Sequence, residues 1–86
     1  MYYVYILKDR YGKVYIGYTA DLKRRLRAHT RGYSAYLKER RPVKLAYYEA
    51  YLSPKDAMAR EKSLKNYGSV LNGLKHRINN SLNYVV

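Results

Sequence analysis

The chain contains no cysteine, no tryptophan and no phenylalanine among its 86 residues. Without cysteine, disulfide bonds, thiolate catalysis and cysteine-based zinc sites are excluded. No stretch of this sequence approaches the roughly 20 apolar residues that a transmembrane helix requires. The N-terminal run MYYVYIL has no basic leader and no small-residue cleavage site, so we expect neither secretion nor membrane insertion. These absences favour a cytoplasmic protein.

Acidic residues are also scarce, whereas positive charge and tyrosine are abundant. Only 6 aspartates and glutamates stand against 18 lysines and arginines, which gives a formal net charge of +12. A balance this basic favours a polyanionic partner, and phosphate backbones are the commonest polyanions. The 13 tyrosines suit positions where one end of a side chain is dry and the other is wet. The length allows one small domain with a modest core.

The hydrophobic periodicity predicts an α+β domain. Strands are predicted over residues 2–7, 14–18 and 43–51, and helices over residues 21–30, 53–66 and 69–78. This order, ββαβαα, is typical of a three-stranded antiparallel sheet flanked by helices. We expect the domain to occupy residues 1–80 and residues 81–86 to form a flexible tail.

The first two strands form a predicted hairpin with two distinct faces. Val4 and Ile6 share the face that we expect to meet the core. Tyr5 and Tyr15 then lie together on the opposite face. A connecting loop of about five residues would place these two tyrosines side by side across the strands.

Glu61 is a carboxylate in an unexpected position. In the helix predicted over residues 53–66, Ala57, Glu61 and Leu64 fall at i, i+4 and i+7, which is the stripe that faces the core. A buried carboxylate is costly unless it is paired, hydrogen-bonded or bound to a metal. Alternatively, Glu61 forms an ordinary surface pair with Lys65 at i+4. The pattern alone leaves both possibilities open.

Two further polar residues border the apolar stripe of the first predicted helix. Arg25 and His29 are spaced i, i+4 and therefore lie on one side of that helix. On pattern alone, an arginine in the place of Arg25 is more often a solvated charge, and a histidine in the place of His29 is more often a packing or capping residue. Tyr5 and Tyr15 are likewise compatible with ordinary strand positions, since aromatic residues are common in strands.

Taken together and in order, these residues resemble the GIY-YIG nuclease family. The tripeptides YVY at residues 3–5 and YIG at residues 15–17 precede Arg25, His29 and Glu61. The segments RRPV at 40–43, YYE at 47–49 and REKSLK at 60–65 are similar to the small single-domain bacterial members. The resemblance extends to about residue 78. One departure is Tyr3, which stands where the family has glycine and adds bulk beside the tyrosine pair.

The resemblance implies a metal-dependent endonuclease that hydrolyses phosphodiester bonds in DNA, with structured or damaged DNA as candidate substrates. It assigns Tyr5 as general base with Tyr15 as its hydrogen-bonded partner, and we expect the cationic surroundings to favour the Tyr5 phenolate. His29 would receive the proton, and Arg25 would clamp the scissile phosphate. Glu61 would hold Mg²⁺ or Mn²⁺, with waters and substrate oxygens completing the shell.

The other basic residues near these positions are interpreted as non-specific phosphate contacts that give salt-sensitive binding. They are Lys23, Arg24, Arg27, Arg31, Lys38, Arg40 and Arg41. Tyr33 and Tyr36 are compatible either with stacking on splayed bases or with packing over the sheet.

Two other functions remain open at this point. The basic composition and Tyr3 are compatible with a nucleic-acid-binding module of little or no catalytic activity. Small basic domains are also common as RNA-associated structural proteins, although DNA is the preferred partner here. A duplex nuclease with one site per chain requires a homodimer or sequential nicks, and a targeting partner is a further option.

Overall fold

A sheet with flanking helices makes up the part of the chain that the computed structural model describes, residues 1–30 and 39–84. The elements are β1 (Tyr2–Lys8), β2 (Val14–Thr19), α1 (Leu22–Thr30), β3 (Lys44–Tyr51), α2 (Pro54–Asn66), α3 (Gly68–Arg77) and α4 (Asn79–Leu82). The strands form one antiparallel sheet in the order β2-β1-β3. The predicted α+β fold and its order ββαβαα are confirmed, and the short helix α4 follows them.

The turn between β1 and β2 is organised by the backbone around Asp9. The Asp9 amide donates to the Lys13 carbonyl at 2.9 Å, and the Gly12 amide donates to the Asp9 carbonyl at 3.1 Å. Gly12 adopts a φ of 85°, a left-handed conformation that glycine reaches at little cost. With this turn the last pair of the hairpin is Lys8 opposite Val14.

That turn sets a strand register that differs from the predicted one. Tyr5 lies opposite Gly17, and Tyr15 lies opposite Leu7. The expectation that Tyr5 and Tyr15 face each other directly across the strands is therefore wrong. The turn is centred on Tyr11, one residue later than a direct pairing of the tyrosines would need. They still share one face of the sheet, on a diagonal.

The main core lies between the other face of the sheet and helices α2 and α3. As predicted, Val4 and Ile6 point into it, with exposed fractions of 1% and 0%. The remaining members of this buried cluster come from the C-terminal helices and the residue that follows α3; they are Ala57, Leu64, Leu74 and Ile78. Their helical spacing gives α2 and α3 one apolar side each, which is what packs against the sheet.

The central strand β1 is covered on both faces. Tyr5 and Leu7, on the face opposite Val4, are 5% and 2% exposed. His29 of α1 packs its ring edge-to-face against Tyr5, with the ring centroids 6.2 Å apart. The start of helix α1 is capped, because the Asp21 carboxylate accepts the Arg24 amide at 3.1 Å.

The C-terminal segment is partly tied to the rest of the domain. Ser81 and Leu82, which the sequence assigns to a tail, lie in α4, and Leu82 packs against the core. The Leu82 carbonyl also accepts a hydrogen bond from the Lys8 ammonium group. The flexibility of residues 81–86 stays a prediction, and residues 85–86 lie outside the described part of the chain.

Candidate active site

Tyr5 occupies the middle of β1, and its ring lies across Gly17 on the neighbouring strand. A Cβ atom at position 17 would overlap the Tyr5 ring and hydroxyl. The absence of a side chain at Gly17 therefore makes room for this phenol. The glycine of the YIG tripeptide thus has a direct steric purpose in this protein.

The Tyr5 hydroxyl meets the imidazole of His29. The phenolic oxygen is 3.4 Å from His29 Nε2, at the long end of the hydrogen-bonding range. Because His29 lies in the last turn of α1, this contact joins helix and sheet at the site. The structure thus brings two of the predicted site residues into contact.

The electrostatic environment keeps both of these groups neutral. Burial raises the pKa of the Tyr5 phenol; the positive charge of Arg25 opposes this, and the negative charge of Glu61 adds to it. Burial and the Arg25 charge both lower the pKa of His29. The expectation that cationic surroundings favour the Tyr5 phenolate is therefore wrong, because desolvation outweighs Arg25. A neutral phenol faces a neutral imidazole that can accept its proton.

The charges of Arg25 and Glu61 affect the groups of this site. Arg25 is exposed on α1, one turn before His29, and its charge acts on both His29 and Tyr5. Glu61 comes from α2, and its negative charge acts on Tyr5. Arg25, His29 and Glu61 are thus each close enough to Tyr5 to contact its side chain or to act on its charge state.

Glu61 combines the two possibilities that its sequence position left open. Its side chain is only 24% exposed, and it forms an ion pair with Lys65 at 3.3 Å. Ala57 and Leu64, one turn away on either side, are fully buried. Glu61 therefore lies at the edge of the apolar stripe, where its carboxylate touches both protein and solvent.

This donor set limits which metal the site could bind. Within residues 1–30 and 39–84, no group of three histidines, cysteines, aspartates or glutamates is arranged to hold a metal ion. The site provides one carboxylate, Glu61, near the buried phenol. Such a donor set fits a hard cation such as Mg²⁺, which keeps several waters and takes one or two carboxylates together with phosphate oxygens. It does not fit a structural zinc ion, which takes four protein ligands.

Tyr15 has a partner that the sequence analysis did not identify. Its hydroxyl donates to Asp9 Oδ2 at 2.8 Å. The Asp9 side chain is fully buried, and it also forms an ion pair with Arg40 at 3.2 Å. Its other carboxylate oxygen accepts the Tyr11 and Lys13 amides at 2.8 and 2.9 Å. Asp9 thus fixes the orientation of the Tyr15 phenol.

The carboxyl group of Asp9 is held in its ionised form. Burial alone would raise its pKa, but hydrogen bonds from Tyr15, from the Lys13 and Tyr11 amides and from Arg40 outweigh that cost. The net result is a pKa of about 2 for Asp9. An acid in a turn between two tyrosine-rich strands, in a chain with few acids, was the available signal for this cluster.

A second carboxylate cluster, also missed from sequence, links β3 to α2. Tyr47 donates to Glu49 at 2.7 Å, and the Tyr51 hydroxyl donates to the same carboxylate. Arg60 binds both Glu49 oxygens, at 3.0 Å from Nε and 3.1 Å from Nη2. Burial raises the pKa of Glu49, but the hydrogen bonds from Arg60 and the tyrosines bring it below its ordinary value. We call Tyr47, Glu49, Tyr51 and Arg60 the Glu49 cluster.

The predicted phosphate-contacting residues fall into three groups. Lys23, Arg24 and Arg27 are exposed on α1, and Arg41 is exposed before β3. Arg40 is engaged by Asp9, and its guanidinium also lies 5.7 Å from the Tyr11 ring centroid. Two more, Arg31 and Lys38, lie outside the described residues, as do Tyr33 and Tyr36.

Comparisons with known proteins agree with this fold. The family model of the GIY-YIG catalytic domain matches residues 1–75. The UPF0213 protein BH0048 of Bacillus halodurans, solved by solution NMR, is similar in structure, with a TM-score of 0.54 and 37% sequence identity. That similarity covers 87% of this chain and 86% of the other. No curated protein matches the chain.

The part of the chain that the structure describes contains no helix long and apolar enough to cross a membrane.

Proteins with the matched domain are generally endonucleases that depend on a divalent metal. The match spans most of this chain, including both tyrosine tripeptides and all of α2. The chain therefore belongs to the GIY-YIG family and carries its nuclease-type catalytic domain.

Proposed function

We propose that this protein is a metal-dependent endonuclease that hydrolyses phosphodiester bonds in DNA, with structured or damaged DNA as its substrates. The observation that carries the proposal is the contact of the buried Tyr5 hydroxyl with His29 Nε2 at 3.4 Å. A phenol that can hand its proton to a neutral imidazole is suited to activating a water molecule. Arg25 and Glu61, whose charges both act on Tyr5, would supply the other functions that phosphoryl transfer needs.

Tyr5 and His29 would together serve as the general base. As the water oxygen attacks phosphorus, a water proton passes to the Tyr5 oxygen while the phenolic proton passes to His29 Nε2. This exchange never requires a free phenolate, which the burial of Tyr5 disfavours. The bond from phosphorus to the leaving sugar oxygen breaks, and that oxygen takes up a proton from solvent.

Arg25 and Glu61 would handle the charge on the phosphate. Arg25 is exposed beside the phenol, and its planar guanidinium can contact two phosphate oxygens at once. Glu61 would hold Mg²⁺ or Mn²⁺, and the bound ion would stabilise the charge that develops on the leaving oxygen. Tyr15 would act as a fixed hydrogen-bonding neighbour, because its own proton is directed to Asp9.

The surrounding positive charge would bind the DNA backbone without reading sequence. Lys23, Arg24 and Arg27 lie exposed on the helix that carries Arg25 and His29. We extend the same role to Arg31, Lys38, Arg40 and Arg41, which follow in the chain. Binding through these groups should weaken steeply with salt. We also propose that the protein acts in the cytoplasm in DNA repair or processing, as a homodimer or by sequential nicks.

The direct test is cleavage of duplex, flap and mismatched DNA with Mg²⁺ or Mn²⁺ by wild type and by Glu61→Gln. Asp56→Asn is the matched control, because Asp56 is an exposed acid on the same helix. We expect cleavage by wild type and Asp56→Asn, and a loss of about 100-fold or more in Glu61→Gln. Undiminished cleavage by Glu61→Gln would remove the metal assignment.

A second candidate is a nucleic-acid-binding module with weak or no catalysis. It is favoured by one observation: Tyr3, in the position of the family glycine, is on the same sheet face as Tyr5 and packs against Tyr48 with centroids 5.9 Å apart. This bulk flanks the approach to the phenol. Tight, salt-sensitive DNA binding, without DNA cleavage in the presence of any metal tested, would support this candidate over the first.

A further inference from the structure

Tyr48 is an exposed aromatic residue directly beside the proposed site. It lies opposite Tyr5 in the register of β1 and β3, so the two side chains share a sheet face. Side chains in such directly opposite positions have Cβ atoms about 5 Å apart. Tyr48 is nevertheless 52% exposed, whereas Tyr5 is buried. A large ring is thus presented to solvent next to the group that would activate water.

A groove next to the Tyr48 ring provides a surface on which a ligand could bind. Tyr3 packs against it at an interplanar angle of 65°, which fixes the orientation of both rings. The groove has a volume of about 310 Å³, at the small end of ligand-binding clefts. Its lining residues are Tyr3, Ala20, Asp21, Leu22, Lys23 and Tyr48.

The charges around the groove favour an anionic ligand with a flat apolar part. The Asp21 carboxylate already accepts the Arg24 amide as the cap of α1. Lys23 is exposed at the groove and is followed on α1 by further cations. An exposed aromatic ring beside a lysine, in a chain of net charge +12, is the combination that binds single-stranded nucleic acids.

We propose that Tyr48, buttressed by Tyr3, is a stacking platform for an unpaired base of the DNA strand that enters the site. The proposal rests on the proposed nuclease function and specifies its substrate. A base in a duplex has both faces covered by its neighbours, whereas an unpaired base can stack on the ring while its phosphate lies toward Lys23 and Arg25. The substrate would therefore carry a splayed or single-stranded nucleotide next to the scissile bond.

The platform can be tested without cleavage. A single-stranded DNA of about 10 nucleotides carries one fluorescent adenine analogue whose emission is quenched by aromatic stacking. Its binding to the full chain is titrated in EDTA, so that no strand is cut. The variants are Tyr48→Ala, Tyr48→Phe and the matched control Tyr84→Ala, since Tyr84 is also an exposed tyrosine, at 74%, and lines a different cavity. Circular dichroism checks the fold of each variant.

We expect wild type, Tyr48→Phe and Tyr84→Ala to quench the probe with similar affinity, and Tyr48→Ala to bind about 10-fold more weakly with the quenching lost. The same analogue within a fully paired duplex should show no dependence on Tyr48. Quenching that survives in Tyr48→Ala, equal losses in Tyr48→Ala and Tyr84→Ala, or no binding of the single strand by wild type would each overturn the proposal. Quenching that depends on Tyr48, in a protein that cleaves nothing with Mg²⁺ or Mn²⁺, would instead refute the nuclease function and leave the platform standing.

Discussion

The two faces of the sheet carry polar groups in very different states. On the core face, Glu49 accepts two phenolic hydrogen bonds and a two-point contact from Arg60. On the opposite face, Tyr5 has one long contact with His29, at 3.4 Å. A carboxylate whose acceptor positions are occupied by protein is suited to holding strands and helices together. Among residues 1–30 and 39–84, the buried Tyr5 phenol has this one long contact, which leaves hydrogen-bonding capacity for a substrate.

Glu61 extends this contrast to the carboxylates. Its side chain, 24% exposed, contacts Lys65 through an ion pair at one position and solvent elsewhere. The Glu49 side chain is 14% exposed, and its carboxylate accepts the hydrogen bonds of the Glu49 cluster. Both residues are on or near the core face of their element, so position alone does not separate a structural acid from one proposed to bind a metal. What separates them is how many of the hydrogen-bonding positions of each carboxylate are occupied by protein groups.

The largest expected effect comes from removing one hydroxyl on each face. Tyr5→Phe should lower the cleavage rate by about 10²- to 10⁴-fold, the usual contribution of a general base, with little change in stability. Tyr47→Phe should keep activity but lower the free energy of unfolding by about 1 kcal/mol, because its bond to Glu49 is lost. Cleavage kinetics and urea unfolding of both variants distinguish these outcomes. Full activity in Tyr5→Phe would contradict the contrast between the faces.

Removing the cation of the Glu49 cluster should clearly lower the stability of the fold. Arg60→Met leaves the half-buried Glu49 carboxylate without its charged partner, so we expect the free energy of unfolding to fall by about 2 kcal/mol. Lys62→Met is the control, because Lys62 is exposed on the same helix. Urea unfolding at neutral pH measures both variants. If Arg60→Met and Lys62→Met were equally stable, the Glu49 cluster would not be the structural link assigned to it.

Filling the space under the Tyr5 ring should affect both stability and activity. Gly17→Ala adds a Cβ that overlaps this ring, so we expect about 1–3 kcal/mol of destabilisation and a loss of cleavage as the phenol is displaced. Gly73→Ala is the matched control, because its added Cβ meets no atom within 4 Å, and alanine favours a helix interior. Activity in Gly17→Ala equal to that of wild type would show that the phenol position is not critical.

The smallest effect should appear at alkaline pH. Burial, together with the hydrogen bond and charge of Glu49, raises the pKa of Tyr47 and of Tyr51 to about 12. Because the pKa of a tyrosine in the unfolded chain is near its ordinary value of 10.0, this stabilisation is complete below about pH 10 and is lost as pH rises toward 12. Tyr51→Phe should therefore lose less stability than wild type over that interval. Urea unfolding at a series of pH values measures the difference, and parallel curves would argue against it.

The fold was largely accessible from sequence because it depends on local patterns. Alternation along β1 and helical spacing in α2 identified Val4, Ile6, Ala57 and Leu64 on faces that the structure buries. The ordered motifs led to the residues that converge around Tyr5. These features depend on which residue types recur at which spacing, and sequence reports that directly.

The details that were missed depend on tertiary contacts. The strand register follows from the turn that Asp9 organises, and Asp9 itself is paired with Arg40, 31 positions away. Glu49 depends on Arg60 from a different element. The pKa of Tyr5 depends first on the burial of its side chain, whereas the sequence reports only the surplus of positive charge around it. Hydrogen-bond partners at such separations leave no periodic signal.

The hairpin also restricts how this protein can change. Because the volume that a side chain at position 17 would need is already taken by the ring from position 5, the two cannot coexist in the present backbone. A sequence with a side chain at position 17 would require either the loss of the Tyr5 phenol or a different backbone in the hairpin. In this sense, the missing side chain at position 17 constrains the sequence as strongly as the phenol at position 5 does.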